Sequence, residues 1–276
     1  MRNGRNKLIQ DNLSSLVKKY SQSDVIQTIE REYKAQSAQN IATELIDDNR
    51  YLAKVKLSKS KVKSFAEQLA IDPLIEPIIV RPKQEHYEVI IGRKRLFASR
   101  RAGVEKVPAL VRNYTDEEML LILLAVARDE HNVNVLEIAY ICNHLANDFG
   151  YTQASLAALT HQSRPQITNI MRLLNLPDNV LRDLNDQKIS YGHARALCAL
   201  PEASIKKIIQ EIYTNNLTVR ETERLVAKTK GKKDDPRLKK LNRKYKTKTT
   251  AATNKITFEF SSEKQKDAFL DKLLKK

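Results

Sequence analysis

The strongest constraint on how this chain folds is an abrupt change of pattern near Tyr114. Between Asn40 and Asn113, the β-branched runs "PIIVRP" and "YEVIIG", bounded by Pro and Gly and separated by the turn-like "KQEH", predict a hairpin. From Tyr114 to about Lys228 the strand patterning disappears and apolar residues recur at helical spacing, with breaks at Pro177 and Pro201. Such a chain folds as α+β: a small N-terminal α/β module, an all-α region after it, and a small β-α unit at the end. Around the hairpin, "KSKVKSFAEQLA" predicts a helix with Val62, Phe65, Ala66 and Leu69 inward, and "GRKRLFASRRAG" a second helix opened by Gly92 and closed by Gly103.

A length of 276 residues allows two or three modest domains. The boundaries fall at residues 1–39, a tail with an amphipathic helix carrying Ile9, Leu13, Leu16, Val17 and Tyr20 on one stripe; 40–115, the mixed module; and 116–228, the helical domain. Residues 229–235 form a basic linker and 236–276 a terminal unit. That unit reads as a strand alternating Ile256, Phe258 and Phe260, followed by a helix with Ala268, Phe269 and Leu273. A strand and a helix cannot bury a core alone, so pairing with a second copy of the chain is expected.

Charge then narrows the partners. The chain has 49 Lys and Arg against 33 Asp and Glu, a net charge of +16, which attracts polyanions. Double-stranded DNA is the first partner to consider and an anionic membrane the second. Cys142 and Cys198 each lie in a helix-like segment away from any metal-ligand spacing, which argues against a disulfide framework and a zinc site. The apolar stretch from Met119 to Ala127 is too short to cross a bilayer, and "MRNGRNK" lacks a signal-peptide apolar region, so a cytoplasmic location is expected.

"YTQASLAALTHQSRPQITNIMRLLNLP" has a helix-turn-helix outline, at residues 152–174. Thr152 caps a first helix containing Leu156 and Leu159, "THQ" makes a tight turn, and Ser163 caps a second helix with Pro165 in its first turn. In the second helix Ile167, Ile170, Met171 and Leu174 face inward. Gln166, Thr168, Asn169 and Arg172 lie on or near the opposite face, with Arg164 at its start, and carry groups suited to base edges in a major groove. Two short helices with a polar outer face also occur in proteins that never meet DNA, and it is the net charge that favours DNA here. The candidate DNA contacts are completed by Thr152, Gln153 and Ser163, and by His193, Arg195 and Arg220 on later helices. No second His, Cys or paired carboxylate stands at ligand spacing beside His193, so a packing or phosphate-contact role is expected there. Neither catalytic residues nor metal ligands are assigned. At "GRKR", Gly92, Arg93, Lys94 and Arg95 open a helix, where unpaired backbone donors and the positive dipole end suit a phosphate.

Taken together, these segments resemble the ParB-type partition proteins, a family that includes nucleoid-occlusion factors. "EPIIVRP" is similar to the family's first box and "IIGRKRLFASRRAG" to its second; "LTHQSRPQITNIMRLLNLP" with "KISYGHARAL" is similar to its helix-turn-helix, and "KITFEFSSEKQKDAFLDKLL" to its dimerisation unit. The resemblance implies a homodimer that binds a centromere-like DNA palindrome on the nucleoid, spreads as a CTP-gated clamp and stimulates a ParA-type ATPase in chromosome or plasmid segregation. It makes residues 40–115 a nucleotide-binding type of domain, with the CTP triphosphate on Gly92, Arg93, Lys94 and Arg95 and Mg as companion. It also admits a nucleoid-occlusion factor or a transcriptional regulator without nucleotide switching.

The chain departs from the family pattern at the nucleotide motifs. Arg93 stands where the family usually has Glu, and Leu52, Ala53 and Lys54 lie near the place of its Gln-Pro-Arg. Its Glu-Asn-x-x-Arg falls on Val126, Ala127 and Glu130: Ala127 offers no oxygen to a metal, and Glu130 sets negative charge where a phosphate-binding Arg is usual. These departures bear directly on CTP hydrolysis.

Overall fold

The computed structural model describes residues 38–71, 76–129, 134–231, 236–245, 247–252 and 255–274. The expected N-terminal amphipathic helix, Glu130 and residues 232–235 of the expected linker lie outside them. The chain divides into two compact units between Arg195 and Ala196, inside the stretch read as one helical domain.

The first unit begins with a five-stranded mixed sheet. Its strands are β1 (Gln39–Ala42), β2 (Ile46–Asp47), β3 (Ile78–Lys83), β4 (His86–Ile91) and β5 (Lys106–Val111), in the order β1-β5-β3-β4-β2. The predicted hairpin is β3 and β4, antiparallel, joined at Gln84 with φ of 54°. β3 also pairs with β5 in parallel, and β5 with β1 antiparallel. Pairing to β3 starts at Ala109, one residue past Pro108, so the ring that lacks an N–H sits where that parallel ladder does not need one.

Helix α1 (Lys59–Ile71) precedes β3, and α2 (Arg93–Arg101) connects β4 to β5. The period of two in the strands then sorts the side chains between two cores. Ile78, Val80, Val89, Val107 and Ala109 pack with Leu96 of α2. Ile79 and Ile90 join the larger core, built with α3 (Asp116–Asp129), α4 (Val135–Phe149), α5 (Gln153–Thr160) and α6 (Arg164–Arg172). Leu120, Leu124, Ile141, Leu145, Leu156 and Ile167 are fully buried there.

Charged residues staple the sheet to α3. Glu88 is 0% exposed, and one carboxylate oxygen accepts Arg81 Nε at 2.8 Å and Arg81 Nη2 at 2.5 Å, while the other accepts the Arg50 backbone N–H at 2.8 Å. Arg81 also reaches Asp116 at 2.7 Å and the Tyr114 carbonyl at 3.2 Å, and Arg50 pairs with Asp116. Burial pushes the Asp116 carboxyl up, but the Arg81 hydrogen bond and the charges of Arg50 and Arg81 outweigh it and hold the group below its ordinary value of 3.8. Cys142 lies in the same core, where burial pushes its thiol up to about 12. This first unit closes with α7 (Asp178–Asn185) and the start of α8 (Tyr191–Leu197).

The second unit contains α9 (Glu202–Asn215), α10 (Val219–Gly231), α11 (Pro236–Tyr245), β6 (Lys248–Ala252), β7 (Lys255–Glu259) and α12 (Glu263–Leu274). The terminal strand is thus half of an antiparallel hairpin rather than a lone strand. Phe258, Phe260 and Tyr245 gather on the buried Phe269, with ring centroids 4.8, 5.1 and 5.0 Å from it. Ile256, Leu270 and Leu274 remain exposed. Among the described residues no helix is long and apolar enough to cross a membrane.

Candidate nucleic-acid interface

The turn between α5 and α6 is fixed by local hydrogen bonding. Thr152 caps α5, its hydroxyl accepting the Ser155 N–H at 3.1 Å. The helix ends at His161, whose φ of 54° reverses the chain, and the Gln162 N–H donates to the Ala157 carbonyl at 3.0 Å. Ser163 then opens α6 with a capping box: its hydroxyl accepts the Gln166 N–H, and the Gln166 side-chain oxygen accepts the Ser163 N–H at 2.9 Å. Pro165 fits in the first turn, which needs no intrahelical donor there.

The apolar face of α6 is buried through Ile167 and Ile170, with Met171 and Leu174 packed against that core. Arg164, Gln166 and Arg172 are exposed; Thr168 and Asn169 are half-buried. The Thr168 hydroxyl lies 2.8 Å from the Gln153 side-chain oxygen and 2.9 Å from the Arg164 carbonyl, tying α6 to the first turn of α5. The structure therefore brings Thr152, Gln153, Ser163, Arg164, Gln166, Thr168, Asn169 and Arg172 onto one pair of helices. His193 Nδ1 accepts the Ser190 N–H at 3.2 Å and lies 3.0 Å from the Ser190 hydroxyl, closing the first turn of α8. Arg195 is exposed, and Arg220 lies exposed on α10 in the second unit.

The "GRKR" segment has a different geometry. Gly92 precedes α2 with φ of 93° and no side chain caps the helix. A Cβ at Gly92 would fall 2.6 Å from Ile78 Cγ2, so the backbone passes where only glycine fits. The helix start opens on a cavity of about 240 Å³ lined by Leu52, Phe65 and Ile91, by Leu123, Val126 and Ala127 of α3, and by Glu137 of α4. Lys94 and Arg95 line it too. Arg93 lines it as well, with its guanidinium held by the chain: Nε and Nη2 hold Asp48 at 2.6 and 2.8 Å, and Nη1 donates to the Val55 carbonyl at 2.8 Å. Arg95 pairs with the Glu76 carboxylate and reaches the Pro77 carbonyl at 3.3 Å.

Of the cations expected to face a phosphate, Arg93 and Arg95 are thus bound to acids of the chain itself. Asp48, which positions Arg93, was not singled out from the sequence, because 45 residues separate the two and no spacing rule connects them. The lining fits a phosphate better than a divalent cation. A hard cation needs several oxygens, the side chains of Val126 and Ala127 offer none, and among the described residues Glu137 is the one carboxylate in the lining.

The first unit thus joins a small mixed sheet to a capped helix-turn-helix, with cations at the helix starts Arg93 and Arg164. The family pattern described as the ParB N-terminal domain matches residues 27–126, and that described as the ParB HTH domain matches residues 131–231. The chain is 34% identical to a probable chromosome-partitioning protein ParB of Neisseria meningitidis over 67% of this chain and 65% of that one, so it spans slightly less than two thirds of that relative. It is 31% identical to a probable ParB of Pseudomonas putida, over 72% and 69% of the two chains, and 31% identical to the nucleoid occlusion protein of Bacillus pumilus, over 79% and 76%. The chain belongs to the ParB-type partition protein family. It is also similar to the truncated ParB of Caulobacter crescentus solved complexed to the parS site, at 29% identity over 69% of this chain and 100% of that one, with a TM-score of 0.43. The same protein has been solved complexed with CTP-gamma-S, at 30% identity over 63% and 99% of the two chains and a TM-score of 0.33.

Proposed function

We propose that this chain is a sequence-specific, dimeric DNA-binding partition protein that binds a palindromic, centromere-like site and acts with a ParA-type ATPase. The observation that carries this reading is α6: a helix anchored by Ile167 and Ile170, opened by a capping box, and presenting Arg164, Gln166, Asn169 and Arg172 away from the core of a chain with net charge +16. In this division of labour residues 116–228 read DNA, residues 40–115 form the phosphate cradle, and residues 236–276 pair with a second copy through Ile256, Leu270 and Leu274. Two-fold pairing suits a palindrome, which needs two readers. The test compares Asn169→Ala and Arg172→Ala with the parent on a selected duplex and on random duplex. Each variant loses about 1 to 3 kcal/mol on the selected site and little on random DNA. Equal losses on both would reject α6 as the reader.

A second reading concerns the cradle, and the uncapped helix start behind Gly92 favours it. It binds the phosphates of CTP through backbone N–H groups, with Lys94 beside them, and does so without a divalent cation. Calorimetric titration of CTP into the protein with its selected duplex gives the same affinity with and without magnesium. Affinity that requires magnesium, or no binding at millimolar CTP, removes the reading.

A further inference from the structure

Gln166 occupies the third position of α6, on the exposed face, and its two polar ends are not equivalent. The side-chain oxygen accepts the Ser163 backbone N–H at 2.9 Å and the Ser163 hydroxyl at 2.9 Å. An amide oxygen has two lone pairs, so both are in use. Only an oxygen can accept a backbone N–H, which fixes the orientation of the amide and turns its NH₂ group outward. The side chain is exposed, and those two donors meet no protein partner among the described residues.

From this we infer that Gln166 contacts DNA as a donor alone. A free glutamine recognises adenine by two bonds at once, its oxygen accepting from N6 and its nitrogen donating to N7. Here the first of those bonds competes with the capping box that starts the helix. The NH₂ group is left for a partner that is purely an acceptor; among base edges guanine alone sets two acceptors, N7 and O6, side by side for its two N–H groups, and the backbone offers a phosphate oxygen. Asn169, one turn further on and outside the capping box, keeps both ends of its amide for adenine. The recognition helix thus divides its amides, with a donor-only position near its start and a two-ended position behind it. This inference rests on α6 being the reader.

The experiment uses the full chain and a duplex that it has itself selected from a random-sequence pool. Guanines are replaced singly by 7-deazaguanine, adenines by purine lacking the N6 amino group, and phosphates by methylphosphonate. Each duplex is tested against the parent, Gln166→Ala and Gln166→Glu. Glu restores both acceptor bonds to Ser163 without the donors, so its thermal midpoint stays at or above the parent value while Gln166→Ala lowers it. Expected is a loss of roughly tenfold for the parent at one guanine or one phosphate, and none at that position for either variant. A guanine identifies a base edge and a phosphate identifies the backbone as the acceptor. A loss on removing an adenine N6 amino group, seen in the parent and absent in Gln166→Ala, overturns the inference, as does parental affinity in both variants. If Asn169→Ala and Arg172→Ala also keep parental affinity, α6 is not the reader at all; if they lose it, only the role of Gln166 fails.

Discussion

At the scale of single residues, the buried carboxylate Glu88 and its partner Arg81 hold the sheet and the start of α3 in one network with Asp116. Asp116 titrates below its ordinary value in the folded chain, so it contributes stability above pH 3.8 that is lost as the pH falls through its folded value. Its side chain is 36% exposed, and solvent screening keeps the contribution to about 1 kcal/mol or less. Asp116→Asn is therefore less stable than the parent at pH 7 by about that amount, and the gap narrows as the pH drops below 3.8. Urea midpoints for both proteins across that range check it; a gap that stays constant would show that the ionised carboxylate contributes nothing. The same scale shows what sequence alone conceals. The caps Thr152 and Ser163 were legible because a cap acts within three residues. The pairing of Arg93 with Asp48 was not legible, because nothing nearby in the chain announces Asp48.

Among the elements, the ones with a strong local period were the ones that could be read. The β3-β4 hairpin carries two β-branched runs around a tight turn, and the two helices around residues 152–174 carry caps and an apolar stripe. The expected helix after Gly92 is α2, opened and closed near the two glycines that suggested it. Three strands of the sheet went unread, each for a physical reason. β2 is two residues long and has no period; β1 is four residues, stabilised by its pairing with β5 rather than by its own sequence. β5 contains Pro108, which argues against a central strand unless the ladder is known to skip that N–H. At the end of the chain, β6 was hidden in a lysine-rich run whose charge resembled a linker, "KTKTTAA". Its partner β7 was visible through Ile256 and Phe258.

For the whole molecule, the net charge of +16 makes binding to any duplex a matter of displaced counterions as well as of fit. If six or more phosphates are contacted, affinity for DNA falls about a thousandfold between 50 and 200 mM salt. Asn169→Ala leaves the slope of that fall unchanged, since it removes no phosphate contact. Binding isotherms over a salt series measure both, and a flat response would contradict an interface built on phosphate grip. The α+β class and the order of modules followed from the pattern change near Tyr114, whereas the division between Arg195 and Ala196 did not, because it falls between helices of similar texture. One packing detail reaches across these scales. Ile78 looks like an ordinary strand residue, yet its methyl group occupies the space that any side chain at Gly92 would need. Over evolutionary drift the two positions are therefore not independent: the interior of the sheet dictates which residue can stand at the mouth of the cavity beside α2, and trimming Ile78 would loosen that mouth before any charged group had changed.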